Sequence, residues 1–387
     1  MKVCPAHRRR VLDRFVLLVV LVGLTFGSAF APASAQPAVP PGTPAAAPAA
    51  AAASPAAGPP AAADMSWWDK KAAEPYIYDG TYWLPPAAST TAQGPDDLFI
   101  WVLGLSAFFF FAITGAVVYF VIKYRHRPGH KAEPSPAHND VLEITWTIIP
   151  TIIVVILFVY GWRSYISMTS IPETRAENQI MVTGSKWFWT FRYYNGVEDN
   201  VLHVPHDQPV KLTMTSTDVL HSFFIPVFRQ KQDVVPRRFS YIWFWPTKTG
   251  VYRVYCTEYC GKDHSLMKTK VVVHTSGDYE RYLAEAFTRQ MSLSGAPLGE
   301  SVYKKKGCEG CHTLDGSVRL GPSFKGTFGS KITLADGAIV TMDDVYIRSS
   351  LLSPQGQTRP GFPPSMPVIP LSDKEIEGVI EFIKAQK

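Results

Sequence analysis

The sequence predicts a multidomain membrane protein: a hairpin of two membrane-spanning helices, an all-β sandwich beyond it and a small all-α domain at the C-terminus. Three observations carry this. Two long apolar runs, residues 98–122 and 144–166, flank a basic connection. Residues 179–274 then change to short alternating or β-branched runs separated by turn formers. Within and after that stretch stand two close cysteine pairs, Cys256/Cys260 and Cys308/Cys311, each with histidine downstream.

The chain of 387 residues has room for two or three domains. Its net charge of +6 is modest, and no basic stripe is interleaved with aromatics, so nucleic acid is not an expected partner. Of the 5 cysteines, Cys4 lies in a segment expected to be removed; the four in close pairs read as ligand or cofactor attachments and not as a disulfide framework.

Residues 1–35 read as a signal peptide. Arg8, Arg9 and Arg10 supply the positive region, residues 15–24 the short apolar core, and Ala33-Ser34-Ala35 the small-residue cleavage site. Residues 36–95 form an external spacer and pre-helix segment, almost wholly Ala and Pro up to residue 63. The hairpin is expected over 96–168. Its first run has roughly 25 uncharged residues against the about 20 that span a bilayer, and its second contains Pro150, which a membrane helix tolerates. Lys123, Arg125, Arg127 and Lys131 place the connection in the cytoplasm, so both ends of the mature chain lie outside it. Membrane lipid is therefore a partner.

The sandwich is expected over 176–275 as a Greek key. Near its end lies Cys256-Thr257-Glu258-Tyr259-Cys260-Gly261-Lys262-Asp263-His264-Ser265-Leu266-Met267, between runs that read as strands. Thiolate, imidazole and thioether are soft or borderline ligands that suit copper and not magnesium or calcium. This points to a cupredoxin-type loop. A blue-copper site needs one Cys, so the second thiolate calls for more metal, and two cysteines can bridge two coppers. Zinc loops usually use C-x2-C or C-x4-C with further ligands nearby; neither zinc nor a disulfide accounts for Met267. His203 and His206 form an H-x2-H pair at a sandwich edge and read as surface histidines.

This array resembles the binuclear copper (CuA) loop of cytochrome c oxidase subunit II. The family's further histidine stands in a phrase that matches His221-Ser222-Phe223-Phe224-Ile225-Pro226. The resemblance implies that Cys256 and Cys260 bridge both coppers. His221 and Met267 would complete one, and His264 with the backbone carbonyl of Glu258 the other. It also implies that the Glu258 carboxylate reaches a magnesium ion at the subunit I interface; nitrous oxide reductase, which shares the copper centre, has Trp at that position. Trp187, in Trp187-Phe188-Trp189, matches the residue where electrons enter the family's copper domain, while Trp189 reads as core packing. Glu143, in Leu142-Glu143-Ile144-Thr145-Trp146, matches a carboxylate near a proton path in subunit I, although a carboxylate there also serves as a helix cap.

Residues 276–296 read as an amphipathic helix, with Tyr279, Tyr282, Leu283, Ala286 and Phe287 on one face, and a loose linker from 292 to 297. Residues 297–387 carry Cys308-Glu309-Gly310-Cys311-His312, a C-x2-C-H attachment site for haem c, with His312 as one iron ligand. Leu320-Gly321-Pro322-Ser323-Phe324 resembles the segment whose Pro carbonyl holds that histidine. Ser372 and Glu375 form a capping box opening a last helix. Together these read as an all-α class I cytochrome c domain. Met366, on a proline-stiffened loop, is the expected second ligand; Met342, at an expected helix start, is the rival.

Taken together the chain resembles subunit II of a caa-type oxidase. That implies an external cytochrome donor, subunit I and subunit III as partners, and a bacterial inner membrane with both cofactor domains on the periplasmic side. A CuA-containing nitric oxide reductase subunit shares both motifs; a pure electron-relay protein without a catalytic partner is a further alternative.

Overall fold

The computed structural model describes residues 66–386 apart from 79, 130 and 132–135. The expected signal peptide, Cys4 and nearly all of the Ala/Pro spacer lie outside the described residues.

The described chain opens with a short helix, α1 (Trp67–Ala72), capped by the Ser66 hydroxyl, which accepts from the Asp69 N–H. The sequence reading placed this stretch in a spacer, yet it packs on the sandwich. Trp68 is buried and meets Tyr282 edge-on at 5.7 Å, and the Trp67 indole donates to Glu285 Oε2 at 2.7 Å. The Arg253 guanidinium lies 4.5 Å above the Tyr76 ring. Burying an aromatic of this size contributes about 2–3 kcal/mol, so these residues strap the external segment down.

Helices α2 (Gln93–Lys123) and α3 (Asp140–Thr169) are the two spans. None of their residues is buried, as befits surfaces covered by lipid or a partner. At 31 and 30 residues they reach about 45 Å, longer than the ~30 Å hydrocarbon layer. Both begin a few residues before the apolar runs do. In α3 the reason is a reciprocal cap: Asn139 Oδ1 accepts from the Leu142 N–H, and Glu143 Oε1 accepts from the Asn139 N–H. The start of α2 is fastened to the sandwich by Arg229, whose Nε and Nη2 donate to the two Asp96 oxygens at 2.7 and 2.8 Å. Arg229 itself takes the left-handed conformation, φ 55°, that turns its side chain back under the Pro226 and Pro85 carbonyls.

The sandwich follows. β1 (Gln179–Ser185), β2 (Phe188–Arg192), β3 (Glu198–Asp199), β5 (Val210–Ser216) and β8 (Ser240–Phe244) form one sheet in the order β3-β2-β1-β5-β8. β4 (Leu202–Pro205), β6 (His221–Ile225), β7 (Gln230–Val234), β9 (Gly250–Cys256) and β10 (Lys268–His274) form the other, ordered β4-β10-β9-β6-β7. Alternation decides the faces: in β5, Val210, Leu212 and Met214 are buried while Lys211, Thr213 and Thr215 are not. Trp189, Phe191 and Phe223 fill the space between the sheets, so Trp189 is core as expected.

His203 is a correction. It lies on edge strand β4, but it is buried, because β10 carries His274 to face it and α4 (Ser276–Ser292) covers both. His203 Nδ1 and His274 Nε2 are 2.7 Å apart, and the Tyr282 ring stacks 4.1 Å from His203. Burial, with Lys305 and Lys71 nearby, holds His203 down at about 3; burial and His203 itself hold His274 at about 2. Both rings are therefore neutral in the native protein, whereas unfolded imidazoles titrate near 6.5. Below that pH the unfolded chain binds more protons. The contribution is complete above about pH 6.5 and is lost as pH falls, by up to ~1.4 kcal/mol per pH unit for each ring. Melting of the purified protein between pH 7 and 5 should show this acid slope, and His274→Gln should roughly halve it. An unchanged slope would assign the acid lability to other groups.

The linker after α4 is shorter than expected: α5 (Gly295–Lys305) starts three residues after α4 ends. In the C-terminal region α5 crosses α7 (Asp373–Ala385) at Gly299 and Gly378, where a Cβ on Gly299 would overlap the Gly378 carbonyl. α6 (Asp344–Leu352) completes the helices. The region departs from all-α in one respect, a hairpin of β11 (Lys331–Thr333) and β12 (Ile339–Thr341). The capping box at Ser372 and Glu375 is present, and Ile376, Val379, Ile380 and Ile383 are buried as the periodicity predicts.

Candidate metal centre

β9 ends at Cys256 and β10 begins at Lys268, so the intervening loop is held at both ends by sheet pairing; the Cys256 N–H also bonds the Met267 carbonyl at 3.1 Å. β6 brings His221 alongside, since Phe223 pairs with Cys256. The donors converge. Cys256 Sγ lies 3.8 Å from Cys260 Sγ, 3.9 Å from His221 Nδ1 and 3.3 Å from the Glu258 carbonyl. Cys260 Sγ lies 3.5 Å from His264 Nδ1 and 3.7 Å from Met267 Sδ. All six expected copper donors thus sit around one small volume, with both thiols at its centre. Five of the six donors are soft or borderline and the sixth is a neutral carbonyl oxygen, so the residues fit a copper pair held by two thiolates.

Electrostatics sharpen the fit. Burial opposes ionisation of both thiols, but the His221 imidazole and nearby backbone bonds bring Cys256 down to about 6. Burial and the Cys256 charge push Cys260 up to about 12. One thiolate forms readily; the second needs a cation to accompany it.

Sequence reasoning missed Asp218. Its Oδ1 lies 2.8 Å from His221 Nε2, which leaves Nδ1 for the metal and fixes the ring. Burial disfavours the Asp218 charge, but the bonds from His221, the Lys186 N–H and the Val219 N–H overcome it and keep the carboxyl below its usual value. A carboxylate three residues before the expected copper histidine was the available signal. Glu258 is half-buried at the same loop; Glu143 lies far off as the cap of α3.

The Trp187 indole donates to the Cys260 carbonyl at 3.2 Å, and Gly261 packs against its ring. Next to it, Phe188 presses on Gly307, the residue before Cys308, which adopts φ 74° there; a Cβ at 307 would overlap the Phe188 ring. The haem-attachment motif therefore abuts the strand that carries Trp187. Glu198 secures this seat: its carboxylate pairs with Lys306, and its carbonyl accepts from Lys305 Nζ at 2.8 Å.

Within that motif, His312 Nδ1 meets the Pro322 carbonyl at 2.8 Å, leaving Nε2 for an axial bond. Phe324 stacks on the imidazole at 4.6 Å. Cys308 and Cys311 are free thiols one turn apart. This arrangement fits covalent haem attachment. Met342 is buried among Leu298, Val302 and Ile347, whereas Met366 is half-buried on the loop before α7.

Residues 78–163 match the family described as cytochrome c oxidase subunit II, transmembrane domain, and 196–275 its periplasmic domain. The cytochrome c oxidase subunit 2 of Synechocystis is 31% identical over 248 residues, covering 52% of this chain and 75% of that protein. The chain belongs to the cytochrome c oxidase subunit II family. Residues 296–387 match a further family, cytochrome c, so the oxidase subunit carries a fused cytochrome. The subunit 2 of Alkalihalophilus pseudofirmus is 29% identical over 313 residues, covering 76% of this chain and 89% of its own. The crystal structure of the periplasmic domain of subunit II from Bradyrhizobium japonicum matches with a TM-score of 0.29 and 28% identity, over 31% of this chain and 98% of that one. Membership implies copper at the first site and haem c at the second.

Proposed function

We propose that this chain relays electrons from an external cytochrome, through its covalent haem c and a binuclear copper centre, to a haem in subunit I, where oxygen is reduced and protons are pumped. When bound, the two groups supply one-electron chemistry. The residues hold and orient them. Cys256 and Cys260, with His221, Met267, His264 and the Glu258 carbonyl, would hold the copper centre. Cys308 and Cys311 would anchor the haem, and His312 with Met366 would hold its iron. Trp187, whose indole bonds the Cys260 carbonyl, would be the contact through which the copper loop receives electrons.

The observation that carries this reading is the contact of Gly307 with Phe188, one residue from Trp187, which itself bonds Cys260. It links the haem-attachment motif to the copper loop inside one chain. The Glu258 carboxylate is assigned to a magnesium ion at the subunit I interface, and Glu143 to the mouth of a proton path in that subunit. Subunit III completes the assembly, in a bacterial inner membrane with both cofactor domains on the periplasmic side.

Stopped-flow reduction of the purified complex tests the order: haem c should reduce first and copper after it. Glu198→Lys sets like charges against Lys306 and Lys305. Losing ~1.4 kcal/mol of this charged contact would lower the docked population roughly tenfold. Copper reduction should slow accordingly and become salt-dependent, while both static spectra stay unchanged. Copper reduction that precedes haem reduction would overturn the relay order.

A further inference from the structure

The two carboxylate oxygens of Asp218 have different duties. Oδ1 takes His221 Nε2 at 2.8 Å, the Val219 N–H at 2.6 Å and the Ser216 hydroxyl at 3.4 Å. Oδ2 takes the Lys186 N–H at 2.7 Å. Lys186 lies in the two-residue turn between β1 and β2, directly before Trp187.

These bonds close a ring through the copper loop. His221 Nδ1 faces Cys256 Sγ across 3.9 Å, and Cys256 Sγ lies 3.8 Å from Cys260 Sγ. The Cys260 carbonyl accepts from the Trp187 indole at 3.2 Å, and Gly261 packs against the same ring. The Trp187 backbone returns through the Lys186 N–H to Asp218, whose other oxygen holds His221. The tryptophan is thus gripped twice, by its ring on the copper loop and by its backbone on the carboxylate that orients a copper donor.

A neutral staple joins the same two segments nearby. The Ser185 and Thr217 hydroxyls meet at 2.8 Å, and the Thr217 N–H bonds the Gly184 carbonyl at 3.1 Å. Hydrogen bonds to a charged acceptor are about twice as strong as neutral ones. The carboxylate is therefore the stronger of the two fastenings, and it touches both the imidazole and the amide before Trp187.

We propose that Asp218 is a positioning residue for electron entry: Oδ2 fixes the backbone of Trp187 while Oδ1 orients His221, so entry ring and copper ligand share one frame. This rests on Trp187 as the entry contact. Asp218 itself takes no part in the redox step, in which one electron leaves the reduced haem and enters the oxidised copper pair.

Asp218→Asn separates the two duties. An amide has a single acceptor oxygen. Among the described residues three donors surround the Oδ1 position and one the Oδ2 position, so that oxygen keeps the first place. The NH2 group then falls against the Lys186 N–H, donor against donor, and this bond is lost while the one to His221 stays.

The test uses the purified complex, saturated with copper or depleted of it. Haem-to-copper transfer is timed by stopped flow, with the copper potential measured in each variant so that rates are compared at equal driving force. Losing one bond to a charged acceptor lowers the placed population roughly tenfold. The Asp218→Asn rate should fall by that factor with the copper spectrum retained. In the copper-depleted complex, amide exchange of the peptide holding Lys186 and Trp187 should quicken in the same variant. Thr217→Val removes the neutral staple and leaves the carboxylate, so it should change neither reading. Trp187→Ala should slow the transfer, and adding Asp218→Asn to it should slow it no further. Exchange or transfer that keeps the parent's pace in Asp218→Asn overturns the proposal. So do effects of Trp187→Ala and Asp218→Asn that multiply, which would mean that the carboxylate acts on copper through His221 alone. Thr217→Val slowing the transfer as much would assign the placement to the strand ends at large and overturn it equally. A rate untouched by Trp187→Ala would instead remove Trp187 as the entry contact, and the proposal with it.

Discussion

Cys260→Ser is expected to destroy the binuclear centre and leave the haem in place. Cys260 Sγ is the hub of the site, within 3.8 Å of Cys256 Sγ, 3.5 Å of His264 Nδ1 and 3.7 Å of Met267 Sδ. A serine hydroxyl is harder and far less acidic, so it cannot serve as the second soft anionic bridge. Copper content should fall from two per chain to one or none, with loss of the mixed-valence spectrum. The loss should exceed the 10–100-fold that an outer partner of a ligand commands, the effect expected of Asp218→Asn. The fold should survive, since the core around Trp189, Leu212 and Phe223 does not depend on this sulfur. Metal analysis and electron paramagnetic resonance of the complex decide it: two coppers with an unchanged spectrum in Cys260→Ser would exclude a thiolate-bridged pair.

Local pattern accounts for what could be read in advance. The spans were legible because a bilayer demands long uncharged runs, and the copper loop because five of its six donors fall between Cys256 and Met267. The last helix was legible because its cap, Ser372 with Glu375, lies beside its apolar face. What stayed hidden depends on partners distant in sequence. Nothing around His203 announces that His274, 71 residues on, will close over it. The bond between Arg229 and Asp96 spans 133 residues. Helix α1 has six residues, too few to show a period, and its meaning comes from Tyr282 and Glu285 far downstream. The seat of Gly307 on Phe188 is of the same kind: a glycine before Cys308 reads as a helix end, and only the fold shows what it lies against.

Met366→His should lower the haem potential while the haem stays covalently attached through Cys308 and Cys311. A thioether favours reduced iron, and imidazole in its place favours the oxidised state. The shift should be a few tenths of a volt, within the roughly 0.8 V that axial ligands command. Reduction by an external cytochrome should slow, yet the copper spectrum should not change, because its donors all lie between β6 and β10. A small reductant reaching the copper directly should still support turnover. Met342 gives the opposite pattern. It is buried among Leu298, Val302, Ile347 and Ile376, and its backbone is tied on both sides, its N–H to the Ser330 carbonyl and its carbonyl to the Gly329 N–H, each at 2.9 Å. Met342→His would place an imidazole in that apolar core without a partner and destabilise the domain by about 1–3 kcal/mol, with the potential of the surviving folded protein unmoved. Redox titration of the haem band in the two variants separates the roles. A potential that stays put in Met366→His and moves in Met342→His would transfer the axial bond to Met342, and the packing of α6 and α7 around it would then have to open to admit the iron.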